Sequence, residues 1–539
     1  ILTTHYIEEA EEIAELRQEF SEGETPYLHT VQYTWKKCMD SPESIKWVEA
    51  DTKERLALEM ANTWRHATKE DFDSMGDNLE IIPTVCVYTL KRDGRYKCRL
   101  VALGNRQKLS LNGEIYSPTV SQASLRWILT EAASQGHSIL QFDISNAFVR
   151  AALGDETVLV RLPKHNSWSA DSNKGDIVRL LKSLYGLKIS PRRWYDTYST
   201  KLAELGWQVS AHEPGLFAKT YTDKDGVKQQ LWLAVYVDDS IISGADRSII
   251  RKEMESILAI FPGKEIEPES VSKGVETRDL IGATLKFSAE HKYMKISMEK
   301  SIQKLLEKFD MTNCRAVSSP ICTNHVDSNS PEVPNFPMKS LVGCLLWVAC
   351  MSRPDISYAV QNLAQTAANT PTEHTVMQGK RILRYLKGTI DVGFEYSIKQ
   401  EREFKELYSR AAESENKSYR DTIAFCDADF AGCAVTLRST SGAILYRRGV
   451  PICWKAKRQS IRATSTMEAE YCSLYDCIRM TMDQGYLNFL QEQEHKNFPL
   501  IFNDNKSALA LSGTSVATKR SKHMPVSYTH LTLPTTPYV

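Results

Sequence analysis

The chain has 539 residues, and its 67 Lys and Arg residues balance 67 Asp and Glu residues, so the formal net charge is zero. Hydrophobic residues make up 42% and charged residues 25%, which is ordinary globular usage and excludes a mainly disordered or collagen-like chain. The length predicts three or four domains. No apolar run approaches the roughly 20 residues that a membrane-spanning helix needs.

The chain begins with Ile1 and an acidic segment, without a secretory signal, and we expect a piece of a longer product. Residues 1–24 hold eight Glu and one Arg, and residues 5–20 have the pattern of a short acidic helix. The 12 cysteines form no Cys-x-x-Cys pair. A zinc site is therefore not expected. We expect a reducing intracellular setting instead.

Apolar periodicity and turn residues predict the elements of the first half of the chain. In chain order these are a helix over 43–65, a hairpin over 85–103 with its turn at Arg92-Asp93-Gly94-Arg95, a helix over 121–135, a strand-like run over 138–149 that is apolar up to Asp143, a helix over 192–206, two strand-like runs within 231–244, and a helix over 248–261.

Two polar stretches separate the second half into regions. Residues 318–337 are rich in Ser, Pro and Asn, residues 397–420 are charged, and both are predicted linkers around a helical region at 340–388. A small mixed α/β domain is then predicted from strands at 423–427 and 442–455, a helix at 467–491, a strand at 499–504 and a helix at 505–512. Residues 526–539 are Thr- and Pro-rich, and we expect a non-native or disordered tail.

The first acidic constellation is Tyr236-Val237-Asp238-Asp239, where two carboxylates lie between the apolar runs LWLAV and SIIS. A surface hairpin turn is the alternative, but buried carboxylates need a cation. Asp143 also ends an apolar run, and a helix N-cap is its alternative interpretation. Three carboxylates on adjacent strands would hold two Mg²⁺ ions for phosphoryl transfer.

A second set of acids lies near the C-terminus. Asp427 and Asp504 end apolar strands, and Glu470 lies on the helix between them. The carboxylate-only set suits metal-assisted cleavage of a phosphodiester, although each acid alone would fit a helix cap or an exposed surface. A basic cluster lies between them and would either neutralise phosphates or form a solvated face; its members are Arg447, Arg448, Lys455, Lys457, Arg458 and Arg462.

With these residues in place, the sequence from about Trp47 to His523 resembles the reverse transcriptase–RNase H part of the Pol polyprotein of copia-type LTR retrotransposons. YVDD alone is a weak signal, but the ordered set of strings is highly specific. The strings are RYKCRLVALG (95–104), YSPTVS (116–121), QFDISNAFV (141–149), LKSLYGLKISPRRWY (181–195), LAVYVDDSIISG (233–244), SLVGCLLWVACMSRPDISYAV (340–360), RILRYLKGT (381–389), DADFAG (427–432), RSTSGAIL (438–445), WKAKRQ (454–459), STMEAEY (465–471), NDNKSAL (503–509) and RSKHM (520–524).

The resemblance implies an α+β, mixed α/β multidomain chain: a right-hand polymerase with fingers, palm and thumb, a connecting region and an RNase H-like α/β domain. The boundaries expected from it are a poorly ordered acidic segment at 1–42, the reverse transcriptase at 43–317, a connecting region with linkers at 318–420, a truncated RNase H-like domain at 421–523, and the non-native or disordered tail at 524–539.

The resemblance also implies roles in DNA synthesis. Asp143, Asp238 and Asp239 would hold two Mg²⁺ ions, with Mn²⁺ as a substitute, and Phe148 would exclude the ribose 2′-OH unless it is an ordinary core residue. A further group would bind the nucleotide: Lys97 or Arg99 in the fingers hairpin would meet the triphosphate unless both are surface charges, and Tyr185, Gly186 and Lys188 would line the pocket floor, although Tyr185 would also suit packing.

In the C-terminal domain, the resemblance implies that Asp427, Glu470 and Asp504 form an RNase H centre that also binds two metal ions, with Glu468 as the competing choice for Glu470. The chain departs from the family at three places. Ile189 replaces a Gln, Phe430 replaces a Trp, and Met524-Pro525 follow His523 where the family continues with Ile-Asp. Because that Asp is the expected fourth ligand, we expect a weak nuclease.

The expected function is RNA-directed DNA synthesis, with hydrolysis of the RNA strand of hybrids. The expected partners are an RNA template, a DNA primer, an RNA–DNA hybrid and dNTPs, with no membrane. The family also implies integrase, protease and capsid proteins, which this chain lacks, and a location in cytoplasmic virus-like particles or the nucleus. The alternatives are an inactive or domesticated remnant that only binds nucleic acid, and a fragment without a stable product.

Overall fold

The structure is a computed structural model that describes residues 31–76, 79–90, 94–107, 115–154, 156–164, 168, 175–211, 213–321, 330–367, 369–414, 420–433, 436–482 and 499–512. The predicted helix at 5–20, most of the segment 1–42, the turn residues 92–93, His523, and the tail 524–539 lie outside these residues. In the described part, no helix is both long and apolar enough to cross a membrane.

Within those ranges the chain is mixed α/β, with 13 α-helices and 21 strands in four sheets. The helices are α1 (Trp35–Met39), α2 (Ser44–Met60), α3 (Lys69–Met75), α4 (Gln122–Gln135), α5 (Ser190–Glu204), α6 (Arg247–Ile260), α7 (Glu299–Lys308), α8 (Met338–Met351), α9 (Ser357–Thr366), α10 (Glu373–Gly388), α11 (Ile398–Ser414), α12 (Thr466–Met482) and α13 (Lys506–Ser512). Short 3₁₀ turns lie at Gly104–Arg106, Phe148–Arg150 and Pro354–Ile356.

The strands follow the same chain order. They are β1 (Val31–Tyr33), β2 (Trp64–His66), β3 (Ile81–Leu90), β4 (Tyr96–Ala102), β5 (Ser138–Ile144), β6 (Val158–Arg161), β7 (Ile177–Leu180), β8 (Gln208–Val209), β9 (Leu216–Thr222), β10 (Lys228–Tyr236), β11 (Asp239–Gly244), β12 (Gly263–Glu265), β13 (Ser270–Ser272), β14 (Val275–Leu280), β15 (Ala283–Ser288), β16 (Tyr293–Ser297), β17 (Gly393–Tyr396), β18 (Thr422–Asp429), β19 (Thr440–Arg447), β20 (Val450–Arg458) and β21 (Leu500–Phe502).

The first sheet has the order β1-β3-β6-β7-β2, with β4 paired to β3 as the predicted hairpin. Helix α2 packs on β4 and places the fully buried Asp51 among hydrogen-bond donors. Tyr88 Oη and Trp168 Nε1 donate to its carboxylate at 2.6 and 2.8 Å. These hydrogen bonds tie the helix to the hairpin. Removing a donor would leave the buried carboxylate with an unsatisfied oxygen, which costs stability.

The second sheet has the order β12-β5-β11-β10-β9-β8, and every pair in it is antiparallel. Side chains of successive residues point to opposite faces, and both faces are covered. Phe142 and Ile242 belong to the cluster that includes α5 and α6, whereas Ile139 and Ile241 pack with α4. This double burial explains why the strands read as nearly continuous apolar runs in the sequence.

The third sheet has the order β13-β14-β15-β16-β17, and its last strand arrives only after helices α7 to α10. The predicted linker at 397–420 is wrong for most of its length, because residues Ile398–Ser414 form α11. Phe404, Tyr408 and Ala412 recur on one face of this helix and pack against Ile423 and Leu500. That apolar stripe is hidden in a charged sequence, which explains the error.

The fourth sheet has the order β20-β19-β18-β21, in which only the β18–β21 pair is parallel. Helix α12 covers β18 and β19, so the predicted order of strands and helices is present in this C-terminal unit, defined here as β18 to α13. The predicted helix at 467–491 begins as α12, and residues 483–498 lie outside the described part.

Two loops meet back to back beside the first sheet. The Ala102 N–H donates to Tyr185 O at 2.7 Å, and Gly186 has a φ of +87°. A Cβ on Gly186 would lie 2.1 Å from Ala102 O, and one on Gly104 would lie 2.0 Å from Gly186 O. Both positions therefore require glycine, since any side chain would force the loops apart.

We predict that Gly186→Ala lowers the unfolding free energy by about 2 kcal/mol or more, because a left-handed φ and a backbone clash act together. Gly226→Ala is the matched control: its φ is +80° and no atom lies within 4 Å of the added Cβ. The control should lose about 1 kcal/mol or less. Urea or thermal unfolding midpoints would measure both variants, and equal losses would show that the close approach of the loops has no energetic weight.

Candidate active sites

The first acidic constellation is built on a strained turn. Tyr236 pairs with Asp239, so Val237 and Asp238 form the two-residue connection between β10 and β11. Val237 has a φ of +62°, which is an outlier for a β-branched residue and costs about 1–3 kcal/mol. Trp194 Nε1 donates to Val237 O at 2.8 Å and Ile144 N–H donates to Asp238 O at 3.0 Å. The neighbours thus hold the turn in its strained form.

Asp143 lies opposite Asp239 in the antiparallel register of β5 and β11. Directly opposed residues of two strands project to the same face, and the adjacent Asp238 sits at the turn. All three carboxylates are half-buried. The structure therefore brings the predicted triad to one end of the second sheet, with Asp143 inside a strand rather than at a helix N-cap.

The three carboxylates of the triad repel one another. Burial raises the pKa of Asp239 to about 7, and the nearby carboxylates of Asp238 and Asp143 act in the same direction. Burial and Asp143 also raise the pKa of Asp238, while Arg99 and Lys97 partly offset the shift. Oxygen-only donors that repel one another fit a divalent cation, which would remove the repulsion.

One acid of this neighbourhood was not found from the sequence. Asp279, on β14, adds to the upward shift in the pKa of Asp239, after burial and the two triad partners. Its backbone carbonyl accepts a hydrogen bond from Gln141 Nε2 at 3.1 Å, which joins the third sheet to β5. The sequence offers no signal for it, because β14 has no strong apolar alternation.

The predicted nucleotide residues gather next to the triad. Phe148 and Tyr185 meet edge to face with ring centroids 5.1 Å apart, and the Arg99 guanidinium lies 5.1 Å from the Tyr185 ring centroid. Burial raises the pKa of Tyr185 to about 12, so its phenol stays neutral. Phe148 is half-buried, and it borders the apolar core rather than lying inside it.

Lys97 and Arg99 lie two residues apart on β4 and so face the same side. Arg99 lowers the pKa of Asp238 more than Lys97 does. Its Nε is buried and has no hydrogen-bond partner among the described residues. An unsatisfied buried donor beside a carboxylate triad is suited to an anionic ligand.

The turn region that contains Lys188 is held by two hydrogen bonds to Gln107. Lys188 Nζ donates to Gln107 O at 2.7 Å, and the Lys188 N–H donates to Gln107 Oε1 at 3.0 Å. Gly186 is exposed and faces β4 through the close approach described above. Ile189, the departure from the family string, is buried with Leu184 and Leu187. Its side chain therefore contributes to the core.

The C-terminal acids form the more compact cluster. One carboxylate oxygen from each of Asp427, Glu470 and Asp504 lies within 4.8 Å of the others. Asp427 lies on β18 and Asp504 follows β21, and the carboxyl ends of these parallel strands meet at one edge of the sheet. Among the described residues, the carboxylates of Asp143, Asp238 and Asp239 are not all this close to one another.

Glu468 and Glu470 differ in their hydrogen-bond partners. Glu468 accepts from the Thr464 N–H at 2.7 Å and from Thr464 Oγ1 at 2.9 Å, so it caps its own helix. Glu470 accepts from Asn503 Nδ2 at 3.0 Å and from the Ala428 N–H at 3.2 Å. Burial raises the pKa of Glu470 to about 7 despite these bonds.

Comparison with known proteins adds the family. Residues 71–323 match the model of the family described as reverse transcriptase (RNA-dependent DNA polymerase). This segment belongs to the reverse transcriptase family. The match contains Asp143, Asp238 and Asp239 and ends before Asp427. The reverse transcriptase part of the resemblance drawn from the sequence strings is thus confirmed.

Relatives extend the likeness beyond that segment. The chain is 29% identical over 515 residues to the retrovirus-related Pol polyprotein from transposon TNT 1-94 of Nicotiana tabacum, which covers 90% of this chain and 35% of that protein. It is 30% identical over 443 residues to the corresponding polyprotein from transposon RE2 of Arabidopsis thaliana, with 80% and 28% covered. The truncated transposon Ty1-A Gag-Pol polyprotein of Saccharomyces cerevisiae is 27% identical over 512 residues, with 90% and 39% covered. The chain spans about a third of the length of these relatives.

Downstream of the reverse transcriptase segment, the basic cluster is divided. Neither sequence interpretation holds for the whole of it, because the half-buried Arg447 and Arg448 form ion pairs with the buried Glu131. Arg458 donates to Gln365. Three members remain exposed and suited to phosphates: Lys455, Lys457 and Arg462.

We predict that divalent cations stabilise the chain more strongly as the pH rises through about 7. Asp239 and Glu470, both with a pKa raised to about 7, must lose their protons to bind a cation. For one displaced proton, affinity should fall about tenfold per pH unit below 7. The measurement is the shift in unfolding temperature caused by a fixed excess of Mg²⁺.

Without metal, the pH dependence of stability has the opposite sign. A carboxyl group whose folded pKa exceeds its unfolded value stabilises the fold while protonated, and this contribution is lost as the pH rises from about 4 to about 7. The control is the double variant Asp239→Asn, Glu470→Gln, which should show neither trend. A Mg²⁺-induced shift that is constant between about pH 6 and about pH 8 would contradict the assignment.

Proposed function

We propose that the chain is an RNA-directed DNA polymerase that extends a DNA primer along an RNA template with dNTPs. The observation that carries this proposal is the half-buried triad inside a segment of the reverse transcriptase family, with Asp143 and Asp239 opposed on adjacent strands and Asp238 in the adjoining turn. A strained turn and three repelling carboxylates lower stability, and such features are typical of functional sites rather than of an inactive remnant.

The triad would hold two Mg²⁺ ions, whose chemistry is to activate the primer 3′-OH and to stabilise the leaving pyrophosphate. The chain supplies the positions: β5 and β11 fix two carboxylates by their register, and Trp194 fixes the turn that carries the third. Because the strain and the repulsion are present beforehand, little reorganisation is needed when substrate binds.

The surrounding residues would select and orient the nucleotide. We assign the triphosphate to Arg99 rather than Lys97, because the buried Nε of Arg99 lacks a partner among the described residues. Tyr185 would support the base or sugar from below, held by Arg99 and Phe148. Gly186 and Lys188 would fix the floor through their contacts with the β4 end and with Gln107.

In this proposal the first sheet with α2 corresponds to the fingers and the second sheet to the palm. The third sheet with α7 would be the thumb, and helices α8 to α11 the connecting region. The predicted boundaries at 317 and 420 remain proposals, since β17 from the connecting region completes the third sheet. The template, primer and dNTPs would meet where the first and second sheets adjoin.

We further propose that the C-terminal unit is an RNase H-like domain that hydrolyses RNA in hybrids. Its support is the cluster of Asp427, Glu470 and Asp504 and the exposed basic side chains on β20. Such a site would contact backbone and shape more than bases, so its sequence specificity would be low. The nuclease would be weakened here if Pro525 stands where a fourth ligand is expected.

The test of the polymerase proposal is Asp239→Asn. Removing one metal-binding charge should cost several kcal/mol of transition-state stabilisation, or on the order of a thousandfold in the rate of Mg²⁺-dependent primer extension. Asp225→Asn, in the exposed turn between β9 and β10, is the control and should extend primers normally. Extension by Asp239→Asn within a few-fold of the unsubstituted chain would reject the assignment.

Phe148→Ala should relax the discrimination between rNTPs and dNTPs, because a smaller side chain leaves room for the 2′-OH. We expect the ratio of rNTP to dNTP incorporation to rise roughly tenfold in single-nucleotide assays. Phe148→Tyr keeps the ring and should preserve the ratio. If the alanine variant folds and its ratio is unchanged, Phe148 serves only in packing.

A further inference from the structure

Helix α4 is buried on every side. All residues from Ala123 to Ala133 are inaccessible to solvent or nearly so. One side packs against the second sheet through Ile139 and Ile241, and the same apolar cluster continues into the C-terminal unit through Leu445 and Ile452. The two acidic sites are therefore connected by one helix and one core.

Arg126 makes the first polar contact between α4 and the C-terminal unit. Its Nη1 donates to Ile452 O at 2.7 Å, and its Nη2 donates to Met351 O at 3.2 Å and to Cys350 O. The guanidinium also lies 4.2 Å from the Trp454 ring centroid. One side chain thus joins α4 to β20 and to the end of α8.

Glu131 makes the second contact, one and a half turns further along α4. Arg447 Nε and Arg448 Nε lie 2.7 and 3.1 Å from Glu131 Oε1, although Arg447 is 316 positions away in the sequence. Arg447 also donates to Thr422 Oγ1 at 3.0 Å, and Arg448 to Glu401 Oε1 at 2.7 Å. Burial alone would raise the pKa of Glu131, but the two arginines outweigh it and hold the pKa below its usual value.

These contacts differ in kind from the surrounding core. Apolar contact is non-directional and permits small rotations of one unit on the other. Charge-assisted guanidinium–carboxylate bonds depend on orientation, and breaking one in a buried site leaves an uncompensated charge. A buried cluster on two units therefore fixes their relative orientation.

We propose that Glu131, with Arg447 and Arg448, acts as a positioning group that fixes the distance along a bound RNA–DNA hybrid between the two acidic sites. Helix α4 leads through Gly136 into β5, which carries Asp143, while Arg447 ends β19 beside the strand of Asp427. The cluster thus lies where the helix that leads to Asp143 contacts the sheet that carries Asp427. This inference rests on the proposed function, since it takes both sites to contact one hybrid.

The test maps both sites on a hybrid without requiring nuclease turnover. A labelled DNA primer annealed to an RNA template is bound by the full chain, Fe²⁺ replaces Mg²⁺, and peroxide with ascorbate generates hydroxyl radicals at the bound iron. Carboxylate sites accept either ion. Cleavage near the primer terminus marks the triad, and a second group of cuts marks the C-terminal cluster.

The unsubstituted chain should give a second group of cuts at one narrow distance from the first. Glu131→Gln should widen that group at least twofold, and the triple variant with Arg447→Gln and Arg448→Gln should widen it no further, because all three residues form one device. A loss of stability alone would weaken the cuts without spreading them. Arg410→Gln breaks the exposed pair with Glu406 on α11 and is the matched control, with unchanged spacing.

If Glu131→Gln does not fold, Arg447→Gln is read in the same way, since Arg448 still pairs with Glu131. An unchanged width in the folded variant overturns the proposal. Absence of a second group in the unsubstituted chain overturns it too. Primer extension, measured on the same preparations, reports separately on the proposed function: its absence in the unsubstituted chain would reject the polymerase, whatever the pattern of cuts.

Discussion

The architecture depends on the burial of helix α4 between two units that are far apart in the sequence. A helix with no solvent face cannot satisfy charged side chains with water, so Arg126 and Glu131 must find partners in the protein. They find them in β19, β20 and the end of α8. This constraint makes the C-terminal unit a packed part of the molecule rather than a module on a tether.

In the triad, by contrast, two unfavourable features are not compensated within the site: backbone strain and repulsion between carboxylates. Val237 adopts a backbone conformation that is unfavourable for a β-branched residue, and three carboxylates repel one another beside it. Trp194 compensates locally: it is buried, stacks on Tyr198 at 5.1 Å and holds the turn carbonyl. Stability is thus supplied by the aromatic support beneath the turn, while the acids above it remain available to bind cations.

The parts that could be predicted from sequence are those where local pattern and tertiary environment agree. The apolar runs before Asp143 and Asp238 read as strands because both faces of the second sheet are covered, and their order suffices to place the acids together. The C-terminal acids could be grouped for a similar reason. The different contacts of Glu468 and Glu470 could not be predicted, because both acids lie on the first turns of α12 and their partners are far away or in the preceding loop.

The failures have physical causes as well. The third sheet is not predicted from the sequence, because strands such as Val275–Leu280 are short and mix polar with apolar residues. The sequence of helix α11 predicts a linker, because its apolar residues Phe404, Tyr408 and Ala412 are few among many charged residues. The local sequence does not distinguish Arg447 and Arg448 from the exposed cations, because their partner Glu131 lies 316 and 317 positions away.

The late arrival of β17 has a consequence for the order of events during synthesis. Ser297 of β16 pairs with Gly393, so the third sheet keeps an open edge until all of helices α8 to α10 have left the ribosome. An unpaired strand edge is a template for pairing with other chains. Contacts of such large sequence separation also form slowly. Nascent chains on one messenger are therefore exposed to mutual aggregation over this interval, which ends when β17 closes the sheet.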